Sequence, residues 1–151
     1  MRSLIFSFLL TTLSFAQVVS TGEKLPFLHL ETPSGDEVIL GEETRLLIVA
    51  FDKAMGKTAD RVLRGNADLL EEAQAVYVTD ISQVPGFVWS MFMKPAFQKY
   101  DYPVVLLKDE ELALRFPRKD DHLTLLYLRG QIVTDVVFVA EEALLRKALK
   151  P

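Results

Sequence analysis

The segment AFDKAMGKTADRVL, residues 50–63, contains the residue types best suited to chemistry in this chain. Its Gly56-Lys57-Thr58 matches the end of a phosphate-binding loop, whose full pattern is Gly-x-x-x-x-Gly-Lys-Ser/Thr. The first glycine of that pattern lets the backbone wrap around the phosphates, and the corresponding residue here is the bulky Phe51. The sequence therefore argues against a nucleotide site.

The same segment places polar and charged side chains at the expected start of a helix. Backbone N–H groups near Gly56 to Thr58, together with Lys53 and Lys57, could hold a carboxylate or a phosphate there. The simpler interpretation is that Thr58 caps the helix and that both lysines are solvated. A third hypothesis is an enzyme with a non-thiol site around Asp52, Lys53, Lys57 and Thr58, for which the sequence names no reaction.

The composition excludes several classes of function. The chain has 151 residues, of which 50% are hydrophobic, and this suffices for one domain with a real core. Its formal net charge is −4 and its basic residues are scattered, which argues against the concentrated basic face of a nucleic-acid-binding protein. The chain has no cysteine, so disulfides, thiol catalysis and thiolate metal sites are all excluded.

Residues 1–16, MRSLIFSFLLTTLSFA, are typical of a secretory signal peptide. Arg2 precedes an apolar stretch, and small residues follow it up to Ala16. The stretch is about half as long as the roughly 20 residues of a spanning helix, so a permanent membrane anchor is the weaker interpretation. We expect cleavage after Ala16, export to a periplasm or beyond, and a single domain over residues 17–151.

Strand and helix patterns alternate along the mature chain, and this order predicts an α/β fold with a mixed sheet flanked by helices. The first predicted elements are an N-terminal hairpin turning at Pro33-Ser34-Gly35-Asp36, a strand at 45–51, a helix at about 57–73 interrupted near Gly65-Asn66, and a strand at 75–80. A partly helical stretch at 84–100, which Pro95 bends or ends, a strand at 102–107 and a short helix at 109–116 follow. The chain closes with a hairpin of strands 123–128 and 131–139 turning at Arg129-Gly130, and with a helix at 141–150 that turns Leu144, Leu145, Ala148 and Leu149 inward.

The stretch FVWSMFM, residues 87–93, is apolar nearly all round if it is helical. One of its faces must pack on the sheet, and Trp89, Phe92 and Met93 are then left facing outward as a possible partner or dimer surface. The alternative is that the whole stretch is buried in the domain. The side chains assigned to the inward face are Phe87, Met91 and Val88.

No metal site or catalytic triad is recognisable in the sequence. His122 lies beside Asp120 and Asp121, but no further ligand has a metal-binding spacing to it, and His29 is distant in the chain. The serines have no motif around them that would indicate a nucleophile. We therefore expect no metal and no cofactor.

The order of elements and several local strings resemble the thioredoxin-like superfamily, in the version shared by peroxiredoxins and exported thiol-disulfide oxidoreductases. The matching strings are an opening Pro26-Phe27, the hairpin turn at Ser34-Gly35-Asp36, the strand ending at Phe51, Pro103-Val104 before a short helix at 109–116, and the turn glycine Gly130. The resemblance covers nearly the whole mature chain and implies a thioredoxin-like fold and an exported location.

Two departures from this family bear on function. Met55-Gly56-Lys57-Thr58 lies where the family has Cys-x-x-Cys, so the resemblance transfers neither oxidoreductase nor peroxidase activity. Leu123 lies where the family has a cis-proline that grips the substrate chain, although another alignment gives that place to Pro117. The sequence thus predicts an exported, redox-inactive binding or scaffold protein with an unknown protein partner, self-association included.

Overall fold

The computed structural model describes residues 17–26 and 28–151, so the predicted signal peptide and Phe27 lie outside the described residues. The elements follow the predicted order of strands and helices. They are β1 (Leu30–Glu31), β2 (Glu37–Val38), β3 (Leu46–Ala50), α1 (Lys53–Leu63), α2 (Asp68–Glu72), β4 (Ala75–Asp80), α3 (Gly86–Val88), a π-helix (Trp89–Met93), α4 (Lys94–Phe97), β5 (Val105–Leu107), α5 (Glu110–Ala113), β6 (Leu123–Arg129), β7 (Ile132–Val139) and α6 (Glu142–Ala148).

In the described part of the chain, seven strands form one mixed sheet in the order β2-β1-β5-β4-β3-β6-β7. Strands β3, β4 and β5 run parallel, whereas the other neighbouring strands pair antiparallel. All residues of β3 are buried, as its continuous apolar run predicts for a strand covered on both faces. The predicted mixed α/β sheet with an N-terminal hairpin is confirmed.

Each face of the sheet carries its own apolar core. Helices α1 and α6 and the helical segment 86–97 pack on one face, whereas α5 and the chain between Val19 and Leu28 pack on the other. Adjacent residues of β6 divide between the two cores because successive side chains of a strand point to opposite faces: Leu125 belongs to the first and Leu126 to the second. Within the described residues, no helix has both the length and the apolar character needed to cross a membrane.

The first helix begins earlier than predicted. It starts at Lys53 rather than near residue 57, because Asp52 caps it, and it ends at Leu63. Gly65 then adopts a positive φ of 72°, and α2 forms a separate short helix. The predicted interruption at Gly65-Asn66 is confirmed, whereas the predicted cap at Thr58 is wrong.

The hairpin between β6 and β7 turns one residue later than predicted. The turn residues are Gly130 and Gln131 rather than Arg129 and Gly130. Both have positive φ, 53° and 68°, as a two-residue type I′ turn requires. A glutamine tolerates this conformation less readily than glycine or asparagine does, so the residue types around the turn were misleading.

The last helix buries a narrower stripe than predicted. Leu145 and Leu149, spaced four residues apart, are both fully buried in the core that also contains α1. Leu144 is 46% exposed, so its predicted inward position is wrong. Neighbouring side chains on a helix lie about 100° apart, so Leu144 cannot share the stripe that meets α1.

Candidate functional site

The start of α1, where the sequence offered its most reactive-looking residues, is a capped helix end. Asp52 has extended backbone dihedrals, and its carboxylate accepts a hydrogen bond from the backbone N–H of Met55 at 2.8 Å. The backbone N–H of Gly56 donates to the Asp52 carbonyl, which is the first bond of the helical ladder. The N–H groups of Met55 and Gly56 are therefore already bonded to the side chain and the carbonyl of Asp52, so neither is free for an anion.

Met55 and Thr58, which the sequence resemblance aligns with the two cysteines of the family, are buried. Their exposed fractions are 8% and 5%, and both belong to regular turns of α1. The Thr58 hydroxyl donates to the carbonyl of Ala54 at 3.3 Å and accepts from the Arg61 guanidinium at 3.3 Å. Neither residue offers an accessible group to a substrate at this position.

Lys53 and Lys57 are both exposed, whereas Thr58 is not. The three residues proposed together as an anion site are thus divided between solvent and core. The anion-binding hypothesis stays a prediction that the geometry does not favour, and the same holds for a non-thiol enzyme site built on Asp52 with these residues.

Phe51, which replaces the first glycine of a phosphate loop, fills the space next to this helix end. Its ring centroid lies 6.3 Å from that of Phe116, and the Arg118 guanidinium lies 4.1 Å from the centre of its ring. At the position where a phosphate loop has its first glycine, this chain therefore has an aromatic ring in contact with Phe116 and with the Arg118 guanidinium.

Leu123, which the sequence resemblance aligns with the family's cis-proline, is fully buried and opens β6 opposite Val139. The neighbouring Thr124 hydroxyl donates to the carbonyl of Pro117 at 2.8 Å, so the alternative proline lies beside the same strand. None of the described residues is joined by a cis peptide bond. Leu123 is therefore an ordinary core residue of β6.

The helical segment 86–97 faces the opposite way from the prediction. Phe87 and Met91, assigned to the core, are 66% and 68% exposed. Trp89 and Met93, assigned to the surface, are half-buried against the core that contains α1. Phe92, 64% exposed, is the member of the predicted surface that does face outward.

The π-helix explains why the segment faces the other way. Pro95 has no N–H and cannot bond the carbonyl four residues back, and the segment contains a five-residue π-helix just before it, with the Lys94 N–H donating to the Trp89 carbonyl. Trp89 then packs on Phe97, with ring centroids 5.7 Å apart. The helical segment continues past Pro95 to Phe97, so the proline does not end it.

We call Phe87, Met91 and Phe92 the apolar patch. Its segment follows the carboxyl end of β4, and α1 follows the carboxyl end of the parallel neighbour β3. The apolar patch and the start of α1 therefore lie toward the same end of the sheet. The sequence signal for the patch was the apolar run itself, which did not indicate its orientation.

Three tyrosines form a cluster that no sequence pattern indicated. The rings of Tyr100 and Tyr102 stack with centroids 5.1 Å apart, and Tyr77 lies 6.1 Å from Tyr102. The Tyr102 hydroxyl donates to Asp60 at 2.7 Å, and the Arg64 guanidinium donates to both oxygens of that carboxylate. These residues come from the end of α1, from β4 and from the loop before β5, so no single spacing could have identified the cluster.

The cluster is protected from ionisation. Burial raises the pKa of Tyr77 and of Tyr102 well above the usual value for a phenol, and at Tyr102 the hydrogen bond to Asp60 adds to this effect. The hydrogen bond from Arg64 to Asp60 raises the pKa of the guanidinium in turn. Tyr102, Asp60 and Arg64 therefore form one hydrogen-bonded network, and the rings of Tyr77 and Tyr100 pack against Tyr102.

A cavity of about 970 Å³ adjoins the tyrosines. It lies at the amino ends of β4 and β5, between α2 and the turn of the N-terminal hairpin, and thus at the opposite end of the sheet from the start of α1. Nothing in the sequence patterns indicated it, because its walls come from three distant parts of the chain.

The histidines have contacts of ordinary surface residues. His29 Nδ1 lies 3.6 Å from a carboxylate oxygen of Glu37, and His122 Nδ1 lies 2.7 Å from the carbonyl oxygen of Asp120. Within the part of the chain that the structure describes, no three acidic or histidine side chains converge as metal ligands would.

Known proteins resemble this chain in structure but not in sequence. No protein-family model matches it, and no curated protein matches it. Peroxidoxin BcpB from Mycobacterium tuberculosis superposes with a TM-score of 0.58 at 19% identity, over 85% of this chain and 93% of its own. Peroxiredoxin Q from Xanthomonas campestris gives a TM-score of 0.54 at 17% identity, over 87% of this chain and 97% of its own.

A third solved structure belongs to the other branch of the expected resemblance. The thioredoxin domain of a thiol-disulfide oxidoreductase from Bacteroides vulgatus superposes with a TM-score of 0.52 at 16% identity, over 87% of this chain and 99% of its own. Identities this low establish the fold and leave the activity open. The chain therefore has the thioredoxin-like fold of peroxiredoxins and thiol-disulfide oxidoreductases, without any cysteine.

Proposed function

We propose that this protein is an exported, redox-inactive thioredoxin-like protein that binds a partner protein through its apolar patch. The observation that carries the proposal is that Met55 and Thr58, which the sequence resemblance aligns with the two cysteines, are buried. A redox thiolate must be accessible at a helix start, where the helix dipole lowers its pKa. A thioether in the core and a hydroxyl bonded to a backbone carbonyl cannot serve that chemistry.

The apolar patch supports binding as the retained role. Its three side chains are 64–68% exposed on one helical segment, which is a contiguous feature rather than scattered surface residues. Methionine and phenylalanine are enriched at protein interfaces, where methionine adapts its shape to a partner. The resemblance to thiol-disulfide oxidoreductases implies that substrate chains dock at this same end of the sheet.

Export is supported by residues 1–16, whose Arg2, apolar stretch and closing small residues are typical of a signal peptide. The test is the intact mass of the protein recovered from the periplasm or medium of its native host. We expect the mature chain to begin at Gln17. Recovery of full-length protein from the cytosol would contradict export.

A photo-crosslinking experiment tests the patch as an interface. A photoreactive phenylalanine analogue is placed at Met91 and, as a matched control, at Ile39, which is 72% exposed on a different part of the surface. After illumination of intact host cells, position 91 should give a discrete adduct that mass spectrometry identifies, and position 39 should not. An adduct of two copies of this chain would identify the partner as itself.

The affinity then decides whether the patch contributes binding energy. With the crosslinked partner purified, Phe92→Lys should raise the Kd at least tenfold, because desolvated aromatic anchors dominate interfaces. Ile39→Lys is the control and should leave the Kd within about twofold. Equal adducts at positions 39 and 91, or an unchanged Kd for Phe92→Lys, would overturn the assignment of the patch.

A further inference from the structure

The cavity between α2 and the N-terminal hairpin has the size of a small-molecule site. Pockets that enclose drug-sized ligands are typically about 300–1,000 Å³, and this one is about 970 Å³. Its walls come from the hairpin turn at Thr32 and Ser34, from α2, from the start of β4, and from the chain leading into β5. Since α2 runs directly into β4, three separate stretches of the chain bound the space, which is therefore a feature of the fold and not the gap beside a single loop.

The sheet itself opens toward this cavity. The pairing of β4 with β5 begins at Val78 opposite Val105, so the first residues of β4 have β3 on one side and the cavity on the other. Val76 and Tyr77 of β4 line the space together with Val104. The floor is thus apolar and held in place by the parallel pairing of β3 and β4.

The aromatic wall is rigid before any ligand arrives. Tyr102 is anchored by its hydrogen bond to Asp60, Tyr100 stacks on Tyr102, and Phe97 lies 5.0 Å from Tyr100 between ring centroids. A wall that is already ordered loses little conformational entropy when a ligand binds, which favours affinity.

The charge at the cavity has one sign. Among the described residues that line it, the charged side chains are Asp68 and Glu71, both on α2. The nearby cation Arg64, whose guanidinium lies 5.3 Å from the Tyr100 ring centre, is held by both oxygens of Asp60. An occupant that satisfies this arrangement has an apolar or aromatic body and a positive group that faces α2.

We propose that this cavity is a binding site for a small amphiphilic organic cation, an ammonium compound with an aromatic or apolar body. The body packs against Val76, Val104 and Phe97, and the ammonium group lies beside Asp68 and Glu71. This site is separate from the apolar patch at the other end of the sheet, and it does not depend on the proposed partner protein.

The test uses three probes with a similar phenylalkyl body and three different charges: phenylbutyltrimethylammonium, phenylbutanol and phenylbutyrate. Each is titrated into the chain beginning at Gln17 while backbone amide resonances are followed by NMR. The cation should shift the amides of Val76 and Val104 with a Kd of about 1 mM or tighter, as expected for a ligand of this size. The anion should bind at least about tenfold more weakly.

Two variants separate charge from shape. Asp68→Asn combined with Glu71→Gln should weaken the cation about tenfold and leave the neutral probe unchanged, because two partly solvated ion pairs are lost. Glu72→Gln on the same helix is the matched control, since Glu72 does not line the cavity. Ser34→Trp on the exposed rim should block all three probes by filling the space.

Each outcome decides the proposal. Selective shifts around the cavity confirm it if they follow the charge series, weaken for the cation alone in Asp68→Asn/Glu71→Gln, and disappear for every probe in Ser34→Trp. Equal binding of the anion, shifts centred on the apolar patch, or no shift at millimolar cation would overturn it. A lysine-containing extended peptide that binds there while the small cation does not would also overturn it, in favour of a peptide site.

Discussion

Asp52 is the N-cap of α1, and its carboxylate accepts a hydrogen bond from the backbone N–H of Met55, which has no partner within the helix. Asp52→Ala should lower the free energy of unfolding by about 1 kcal/mol, the usual effect of removing such a cap. Asp52→Asn is the matched control, because asparagine caps helices about equally well. Urea denaturation measures both, and equal destabilisation by alanine and asparagine would contradict the assigned cap.

Tyr77 and Tyr102 make stability depend on alkaline pH. Their pKa is raised in the folded chain, so above pH about 10 the unfolded chain loses phenolic protons that the folded chain retains. Stability should be unaffected below that pH and should fall above it, by about 1.4 kcal/mol per pH unit for each tyrosine that stays protonated.

The measurement is the urea midpoint between pH 8 and pH 11, compared with that of the variant Tyr77→Phe/Tyr102→Phe. The variant lacks both phenols, and its midpoint should decline less over the same range. Tyr77→Phe alone should remove part of the decline without removing the hydrogen bond of Tyr102 to Asp60. An equally steep decline in the double variant would show that other groups cause it.

At the scale of elements, the segment 86–97 determines which apolar side chains a partner meets. With its π-helix and Pro95, the segment directs Trp89 and Met93 toward the core and leaves the apolar patch in solvent. A stretch that is apolar on all sides has no polar face to keep in solvent, so the neighbouring aromatic rings decide its rotation.

This orientation has a stability signature. Met91→Lys should change the free energy of unfolding by no more than about 0.5 kcal/mol, as expected for an exposed position. Met93→Ala, two residues further on, should cost about 2 kcal/mol because it removes a side chain packed against the core. Thermal or urea unfolding measures both, and the reverse order of effects would contradict the observed facing.

At the scale of the whole molecule, the sheet separates two apolar cores, one on each of its faces. Leu125 and Leu126 are both fully buried, although adjacent residues of a strand point to opposite faces. Leu125→Ala and Leu126→Ala should therefore each lower the free energy of unfolding by about 2–5 kcal/mol. Denaturant unfolding of the two single variants measures this.

A sheet with one solvated face would lose stability at one of the two positions only. The half-buried turn residue Gln131 of the same hairpin is not a suitable control, because its positive φ makes substitution there a backbone effect. Thr134→Ala, on an exposed position of β7, is the matched control and should change stability by about 0.5 kcal/mol or less.

The sequence by itself determined the order of elements, the mixed sheet and the lack of thiol chemistry. The buried strands could be predicted because a continuous apolar run such as that of β3 is a local property of the chain. The lack of cysteine alone was enough to exclude redox catalysis by thiols. The thioredoxin-like fold could be predicted from the order of several short sequence strings along the chain, although none of these strings is specific to the fold by itself.

Only the tertiary structure decided where Thr58, Met91 and the tyrosines point, and that a cavity lies at the far end of the sheet. Thr58 lies within α1 and not at its start, because Asp52, which comes earlier in the chain, caps the helix. The cavity and the contacts of Tyr102 with Asp60 join elements far apart in sequence. Periodicity reports one element's own faces, whereas such sites arise from packing between elements, which no local pattern encodes.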